Sequence, residues 1–438
     1  MALELLDEPI PTVARIERIA VGPRPVRVGL LGLGTVGQAV ARVCDEQRPR
    51  LLARGLDLRI GGALVRDPSR VRDYTPRGAV VMDDPHVFLS HDWDVVVEVL
   101  GGVEPAYTLV RGCLERGIPV VTANKSLLAA HGETLFALAQ HCDTELRCEA
   151  SAMAGVPFLA ALARRPLAAR VQRLCGILNG TSNYCLTLLA SGVPLAEAVR
   201  RAQSLGLAEP DPTRDLSGVD AAEKLIVLLQ HVGVSGLTLA DCEIGGIGAL
   251  TPETLADAAA IGGTIKPVVQ AEIAADSVSA FAGPAFVTQR HPLARIQGEQ
   301  NALRLCGPEI GELLYSGPGA GPRVTAGTIL DDVAEVVAGA GARASVCVTH
   351  AELRDVRAPA TAWFVRIASA GALPPGDELC ALAASHGLEL RHVWLGNRSV
   401  SGPRLTALTQ PLTREAVESG LSAIRAALKC DVLAIRAI

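Results

Sequence analysis

The chain has 438 residues, room for two or three domains, and a formal net charge of −5, which gives no general attraction to nucleic acid or an anionic membrane. Hydrophobic residues make up 49% and aromatic residues 3%, so core material is ample while the basic stripes and aromatic platforms of nucleic-acid binders are missing. No run of about 18 apolar residues is free of breakers or charges, and the acidic start MALELLDEPIPTVARIER does not read as a secretory signal.

Residues 1–25 read as a tail that ends in Gly22-Pro23-Arg24-Pro25. From Val26 the pattern becomes strand, glycine turn, helix. The stretch VRVGLLGLGTVGQAV (26–40) sets Gly32, Gly34, Thr35, Val36 and Gly37 after a strand and at the opening of a helix. The first glycine permits a tight turn, the second lets backbone approach a pyrophosphate, and the third lets helix and strand pack closely. The helix start offers free N–H groups to the phosphates. This predicts a dinucleotide site over Gly32–Gly37. The next strand, 57–65, runs into Arg66-Asp67. Arg66 suits the 2′-phosphate of NADP and Asp67 the 2′-hydroxyl of NAD; both stay open, with NADP preferred.

Further apolar runs at 94–100, 118–122 and 146–150 alternate with helical stretches at 104–117 and 126–141. That alternation predicts a parallel sheet. Ligands of such sheets sit outside the carboxyl ends of the strands, which places Gly101, Thr122 and Lys125 at the ligand edge. Lys125, in IPVVTANKSLLA (118–129), falls near a helix start, where a cation opposes the helix dipole. A functional lysine and an ordinary surface lysine are the two readings there.

Residues 156–310 are mixed, with helical stretches at 181–205 and 219–232. Between these lies EPDPTRDLSGVDAAEK (209–224), with five acidic groups and one lysine. Asp220 and Lys224 are four apart, on one face of a helix. Glu209 and Asp215 lie on the preceding loop, where two carboxylates could converge on an ammonium group. A solvated acidic loop with a simple ion pair is the alternative. A helical pattern returns at 325–341, the segment 337–345 and Ala358-Pro359-Ala360 read as a boundary, and residues 361–438 read strand, helix, strand, strand, helix, strand.

Eleven cysteines are scattered without a CxxC pair, which predicts reduced thiols and a cytoplasmic protein. Of 41 basic residues only Lys125, Lys224, Lys266 and Lys429 are lysines. An ammonium can give up its proton when its pKa is lowered, whereas a guanidinium effectively cannot. A retained lysine is therefore a candidate for a place where arginine cannot serve.

GLGTVG, TANKSLLA, GILNGTSNY (Gly176–Tyr184), AQSLGLAEPDPTRDLSGVDAAEK (Ala202–Lys224) and GPGAG (Gly317–Gly321), in this order and spacing, resemble the homoserine dehydrogenase family. The resemblance covers about residues 26–345, and an ACT-like tail extends it. It implies an α/β fold: a Rossmann-type dinucleotide-binding domain over 26–155 completed by 317–345, an α+β catalytic and dimerisation domain over 156–316, a linker over 346–360, and a βαββαβ ACT-like domain over 361–438. It implies NAD(P)-dependent interconversion of L-homoserine and L-aspartate 4-semialdehyde in threonine, methionine and isoleucine biosynthesis.

In this resemblance Lys224 is the proton donor and acceptor, Lys125 assists, and Asp220 orients Lys224. Glu209 and Asp215 bind the substrate amino group, and Asn179, Gly180 and Thr181 close the pocket. Gly321, in the GPGAG loop, returns to the cofactor. The stretch EASAMAGVP matches a monovalent-cation loop, with Glu149, Ala152, Ala154 and Val156 at the positions that hold sodium, largely through carbonyls. Two neighbouring lysines are expected to lower each other's pKa. The ACT-like tail implies a homodimer or homotetramer and a possible amino-acid effector. Two departures stand out: ASAGALPPG (Ala368–Gly376), with Asp377 after it, stands where the family has an acidic residue followed by Pro-Gly, and Arg323–Thr328 replaces a PTASAV-like stretch. A silent amino-acid-binding regulator and a related semialdehyde dehydrogenase are the competing readings. The retained Lys125 and Lys224 oppose the first, and the set Glu209, Asp215 and Lys224 opposes the second.

Overall fold

The computed structural model describes residues 23–163, 170–339, 355–356, 359–369, 371–398 and 402–438. Residues 1–22 of the expected tail, and most of the expected 346–360 linker, lie outside the described residues.

The first sheet is built from β1 (Pro25–Leu31), α1 (Thr35–Ala53), β2 (Asp57–Leu64), β3 (Val80–Met82), α2 (Pro85–Ser90), β4 (Val95–Glu98), α3 (Ala106–Leu114), β5 (Val120–Thr122), α4 (Lys125–His141) and β6 (Leu146–Arg147). Its six strands are all parallel, in the order β3-β2-β1-β4-β5-β6. β4 and β5 are buried along their whole length, as strands covered on both faces must be. The strand order reverses between β1 and β4, so a crevice opens where those strands end, after Leu31 and Glu98. The short β3 was not among the expected strands. The strand expected over 146–150 stops at Arg147, because the chain turns into a 3-10 helix at Glu149–Ser151.

The chain then runs through α5 (Leu159–Ala163), β7 (Arg173–Ile177), α6 (Gly180–Ala190), α7 (Leu195–Ser204), α8 (Thr213–Ser217), α9 (Val219–His231), β8 (Glu243–Ile244), α10 (Pro252–Ala260), β9 (Gly263–Ile273), β10 (Ser277–Thr288), β11 (Gln300–Gly307) and β12 (Gly311–Pro318). The helical stretch expected over 181–205 is two helices. Gly192 turns the chain at φ +87°, and Pro194 caps the second helix. The long hairpins β9–β10 and β11–β12 occupy much of the region that reads as mixed. β9 and β10 are buried on both faces, so they carry no period-two alternation to betray a strand. α11 (Pro322–Val337) carries the chain back to the first sheet, where Ala326, Ile329 and Val333 share a core with Val40 and Ala41 of α1.

The last segment comprises β13 (Asp355–Val356), β14 (Trp363–Ala368), α12 (Gly376–Ser385), β15 (Leu390–Arg398), β16 (Gly402–Thr409), α13 (Arg414–Leu428) and β17 (Asp431–Ala437). From β14 onward this is the expected βαββαβ order. β17 pairs with both β14 and β10, so the second sheet is continuous, running β12-β11-β7-β9-β10-β17-β14-β16-β15, with β8 and β13 also pairing β10.

Two carboxylates join this segment to the rest. Asp257 of α10, fully buried, accepts from Arg366 Nε at 2.8 Å and Arg404 Nε at 2.7 Å. Glu243 of β8 accepts from Arg414 at 2.9 Å and Arg436 at 3.1 Å. Removing one member of a buried ion cluster leaves the others charged in a poor solvent. Asp257→Asn should therefore lower stability by about 3–5 kcal/mol, measured by urea unfolding of the whole chain. An unchanged midpoint would show that the cluster contributes nothing.

Candidate active site

The glycine turn has the stereochemistry its spacing implies. Gly32 adopts φ +105°, and a Cβ on Gly37 would overlap the Gly32 carbonyl oxygen. A Cβ on Gly34 would meet nothing within 4 Å, so this face of the turn is open. Gly34 is the N-cap of α1, and Thr35 and Val36 form its first turn. The turn therefore offers the start of a 19-residue helix to an anion that can approach closely. Across the crevice Gly101 lies past β4 at φ +77°, with open space at its Cβ position.

Arg66 is exposed just beyond β2. Asp67 is engaged locally: its Oδ1 accepts from Ser69 N at 2.9 Å and Ser69 Oγ at 2.6 Å, which holds its carboxyl below the ordinary value. Thr122, at the end of β5, is buried and its hydroxyl donates to Glu98 Oε2 at 2.5 Å. It braces the crevice floor.

Glu98 is the group that sequence reading missed. It is fully buried at the end of β4 and accepts from Leu100 N at 2.8 Å, Thr122 Oγ1 and Asn124 Nδ2 at 3.2 Å. Burial pushes its carboxyl up, against the pull of those bonds. An acid inside the apolar run VVVEVL was its only signal. Asn124 also caps α4 by accepting from Leu127 N at 3.1 Å, and so fixes Lys125, the first residue of that helix.

A cavity of about 430 Å³ gathers Lys125, Asn179, Gly180, Thr181, Glu209, Asp215, Asp220, Lys224 and Gly321. Nine of the expected residues thus meet, from four stretches of chain. Asp220 lies at the centre: its Oδ1 is 3.0 Å from Lys125 Nζ and its Oδ2 is 3.0 Å from Lys224 Nζ. The Lys224 contact is the i,i+4 pair expected on α9; the Lys125 contact was not foreseen. Lys224 Nζ also donates to Leu178 O at 2.8 Å. Asn179 Nδ2 donates to Asp215 Oδ1 at 2.7 Å and Asp220 Oδ2 at 2.8 Å, while its Oδ1 caps α6 at Ser182 N. Thr181 Oγ1 donates to Leu207 O at 2.6 Å.

Asp215, expected on a loop, lies in the short helix α8. Gly218 joins α8 to α9 at φ +89°, where a Cβ would press on Gly245 O. That left-handed joint is open to glycine and strained for other residues; it turns Asp215 and Asp220 toward one cavity.

The electrostatics correct one expectation. Burial alone would raise the Asp220 carboxyl, but Lys224, Lys125 and the Asn179 amide hold it well below the usual carboxylate range. Burial would lower the Lys125 ammonium, but the charge and hydrogen bond of Asp220 hold it above its ordinary value. The expected mutual depression of the two lysines therefore fails for Lys125, because a carboxylate stands between them. Burial pushes the Asp215 carboxyl up. A third retained lysine, Lys266, lies outside the cavity. Buried, and pushed down to about 8, it donates to Ile296 O at 2.6 Å and Asn183 Oδ1 at 3.3 Å.

The segment after β12 links this cavity to the nucleotide turn. Ala320 and Gly321 line this cavity, while Pro322 and Arg323 line a second one of about 300 Å³ with Thr35, Gln38 and Arg42.

Glu149, Ala152, Ala154 and Val156 lie apart from the cavity in a buried loop. Glu149 accepts from Leu159 N at 2.9 Å and Ala160 N at 2.7 Å. Ala154 O accepts from the Thr328 hydroxyl, and Val156 O from Phe158 N at 2.9 Å. Each carbonyl keeps a second lone pair, so these hard oxygen donors still suit a monovalent cation. Among the described residues no cluster of three or more His, Cys, Asp or Glu side chains could hold a metal ion. The ten described cysteines are free, and no described helix is long and apolar enough to cross a membrane.

Comparison with known proteins agrees with this geometry. A family model described as homoserine dehydrogenase matches residues 157–334, and one described as homoserine dehydrogenase, NAD binding domain, matches residues 32–149. A homoserine dehydrogenase of Bacillus subtilis is 34% identical over 317 residues, covering 72% of this chain and 73% of the relative. The crystal structure of a homoserine dehydrogenase from Thiobacillus denitrificans superposes with a TM-score of 0.85 at 30% identity, covering 95% of this chain and 99% of that one. A hyperthermophilic archaeal homoserine dehydrogenase in complex with NADPH superposes with a TM-score of 0.60 at 25% identity, covering 72% of this chain and 98% of that one. With both family models and these relatives in agreement, this chain belongs to the homoserine dehydrogenase family.

Proposed function

We propose that the chain interconverts L-homoserine and L-aspartate 4-semialdehyde with NADP, and that Lys224 moves the proton at the substrate oxygen. The observation that carries this reading is the Asp220 carboxylate set 3.0 Å from each of two lysines in a cavity of about 430 Å³. Glu209 and Asp215 hold the substrate ammonium, and Asn179, Gly180 and Thr181 close the pocket around it. In the oxidising direction Lys224, deprotonated, takes the hydroxyl proton. In the reducing direction Lys224, protonated, returns it to the developing alkoxide, which Lys125 stabilises by its charge. Asp220 orients both. A bound nicotinamide supplies hydride acceptance and donation; Gly32, Gly34, Thr35, Val36, Gly37, Gly101 and Gly321 would border it, with Thr122 bracing the crevice from behind.

NADP is preferred because Asp67 is engaged by Ser69 while Arg66 is exposed at the end of β2. The NADPH held by the archaeal relative supports the same choice. Sodium is assigned to the loop with Glu149, Ala152, Ala154 and Val156, held largely by carbonyl oxygens. The unit over 361–438 is read as ACT-like on its strand order β17-β14-β16-β15, with a role in forming a homodimer or homotetramer. The remaining divisions follow the two sheets: nucleotide binding over 26–155 with 317–345, and catalysis over 156–316. We place the enzyme in the cytoplasm, in amino-acid biosynthesis.

Homoserine-dependent reduction of NADP, followed by the absorbance of the reduced cofactor, tests the reaction. Lys224→Arg should keep the charge and lose turnover by more than about a hundredfold, with cofactor affinity little changed. Near-native turnover in that variant would remove Lys224 from the mechanism. Arg66→Ser should raise KM for NADP by about tenfold to a hundredfold, the worth of a charge-assisted hydrogen bond, and leave KM for NAD unchanged. Equal effects on both cofactors would place Arg66 away from the 2′-phosphate.

A further inference from the structure

The substrate of the proposed reaction is an α-amino acid, so the cavity must receive a carboxylate as well as an ammonium and a reacting oxygen. Its wall carries five carboxylates, Glu209, Asp211, Asp215, Asp220 and Glu299, against three cations, Lys125, Arg214 and Lys224. An incoming carboxylate meets repulsion unless one cation faces it. The two lysines share Asp220, and Lys224 also donates to Leu178 O. Arg214 differs. Its side chain is 58% exposed, and its Nη2 lies 2.5 Å from Glu223 Oε1. Glu223 is 6% exposed at its side chain, and its Oε2 accepts from Ser126 Oγ at 3.1 Å. A buried carboxylate, pinned at its second oxygen, thus fixes an outward-facing guanidinium at the cavity wall.

The sequence neighbours tie this anchor to the chemistry. Arg214 precedes Asp215, Glu223 precedes Lys224, and Ser126 follows Lys125. A guanidinium has five N–H donors in a rigid fork. Holding Glu223 through one of them leaves others that suit a carboxylate. We propose that Arg214 binds the substrate α-carboxylate and makes the site selective for amino acids that keep that group. This rests on the reading of the cavity as the homoserine site.

The test compares kcat/KM for L-homoserine with that for 3-aminopropan-1-ol, the same chain without its carboxylate, in the whole protein. Where the analogue is not turned over, its inhibition constant against homoserine replaces the second value. In Arg214→Gln the preference for homoserine should fall by about tenfold to a hundredfold, mostly through KM, with kcat held within a few fold. Arg214→Gln leaves Glu223 buried without its cation, so the double variant Arg214→Gln with Glu223→Gln is measured beside it. The same loss of preference in the double variant supports the proposal. A double variant that regains the native preference would overturn it, since Arg214 would then serve only to neutralise Glu223. An unchanged preference in both variants would also overturn it and leave the carboxylate to the N–H groups at the start of α6. Absence of homoserine-dependent activity in the unaltered protein would instead overturn the reading of the site itself.

Discussion

A carboxylate withdrawn from water is stable only where charge and hydrogen bonds replace the lost solvent. Asp220 meets that condition through three groups: the ammonium groups of Lys125 and Lys224, and the Asn179 amide. Each partner comes from a different element, α4, α9 itself and the cap of α6. This one charge therefore ties together the first sheet, the helices around the cavity and the second sheet. In the proposed chemistry the same arrangement keeps both lysines at the substrate oxygen with a carboxylate between them.

The supporting structure gives that cluster its precision. Glu98 ties the loops after β4 and β5 together from beneath, so that Asn124 can cap α4 and set Lys125. The left-handed Gly218 packs on Gly245, which follows β8. β8 carries Glu243, the carboxylate bound by Arg414 and Arg436. The turn bearing Asp215 and Asp220 thus rests on a strand that the C-terminal unit grips. The proposed catalytic geometry and the attachment of that unit share a common piece of backbone.

Much of this could be read from the chain because its chemistry is local. Gly32–Gly37 carry the stereochemistry of the turn in six positions. Asp220 and Lys224 are one helical turn apart and pair as their spacing requires. The parallel sheet announces itself through short valine-rich strands between helices. Other features are not local. Lys125 reaches Asp220 from 95 positions away, and no spacing could reveal that the two lysines share one carboxylate, or that Lys125 is held up instead of down. β9 and β10 lack alternation because both faces are buried. Glu98, Arg214 and Glu223 look like ordinary charges until folding buries two of them and turns the third toward the cavity.

The most direct test of the central claim is the pH dependence of kcat for homoserine oxidation in Asp220→Asn beside the native protein. Asp220 holds Lys125 protonated by its charge and hydrogen bond, and its second oxygen lies 3.0 Å from Lys224 Nζ. Its loss leaves burial and mutual repulsion to favour the neutral amine. The alkaline rise of kcat should then move to lower pH by about one to three units, the usual effect of an adjacent opposite charge, whatever the fall in its plateau. A rise at the native pH would contradict the account, since Asp220 would then place the lysines without setting their charge.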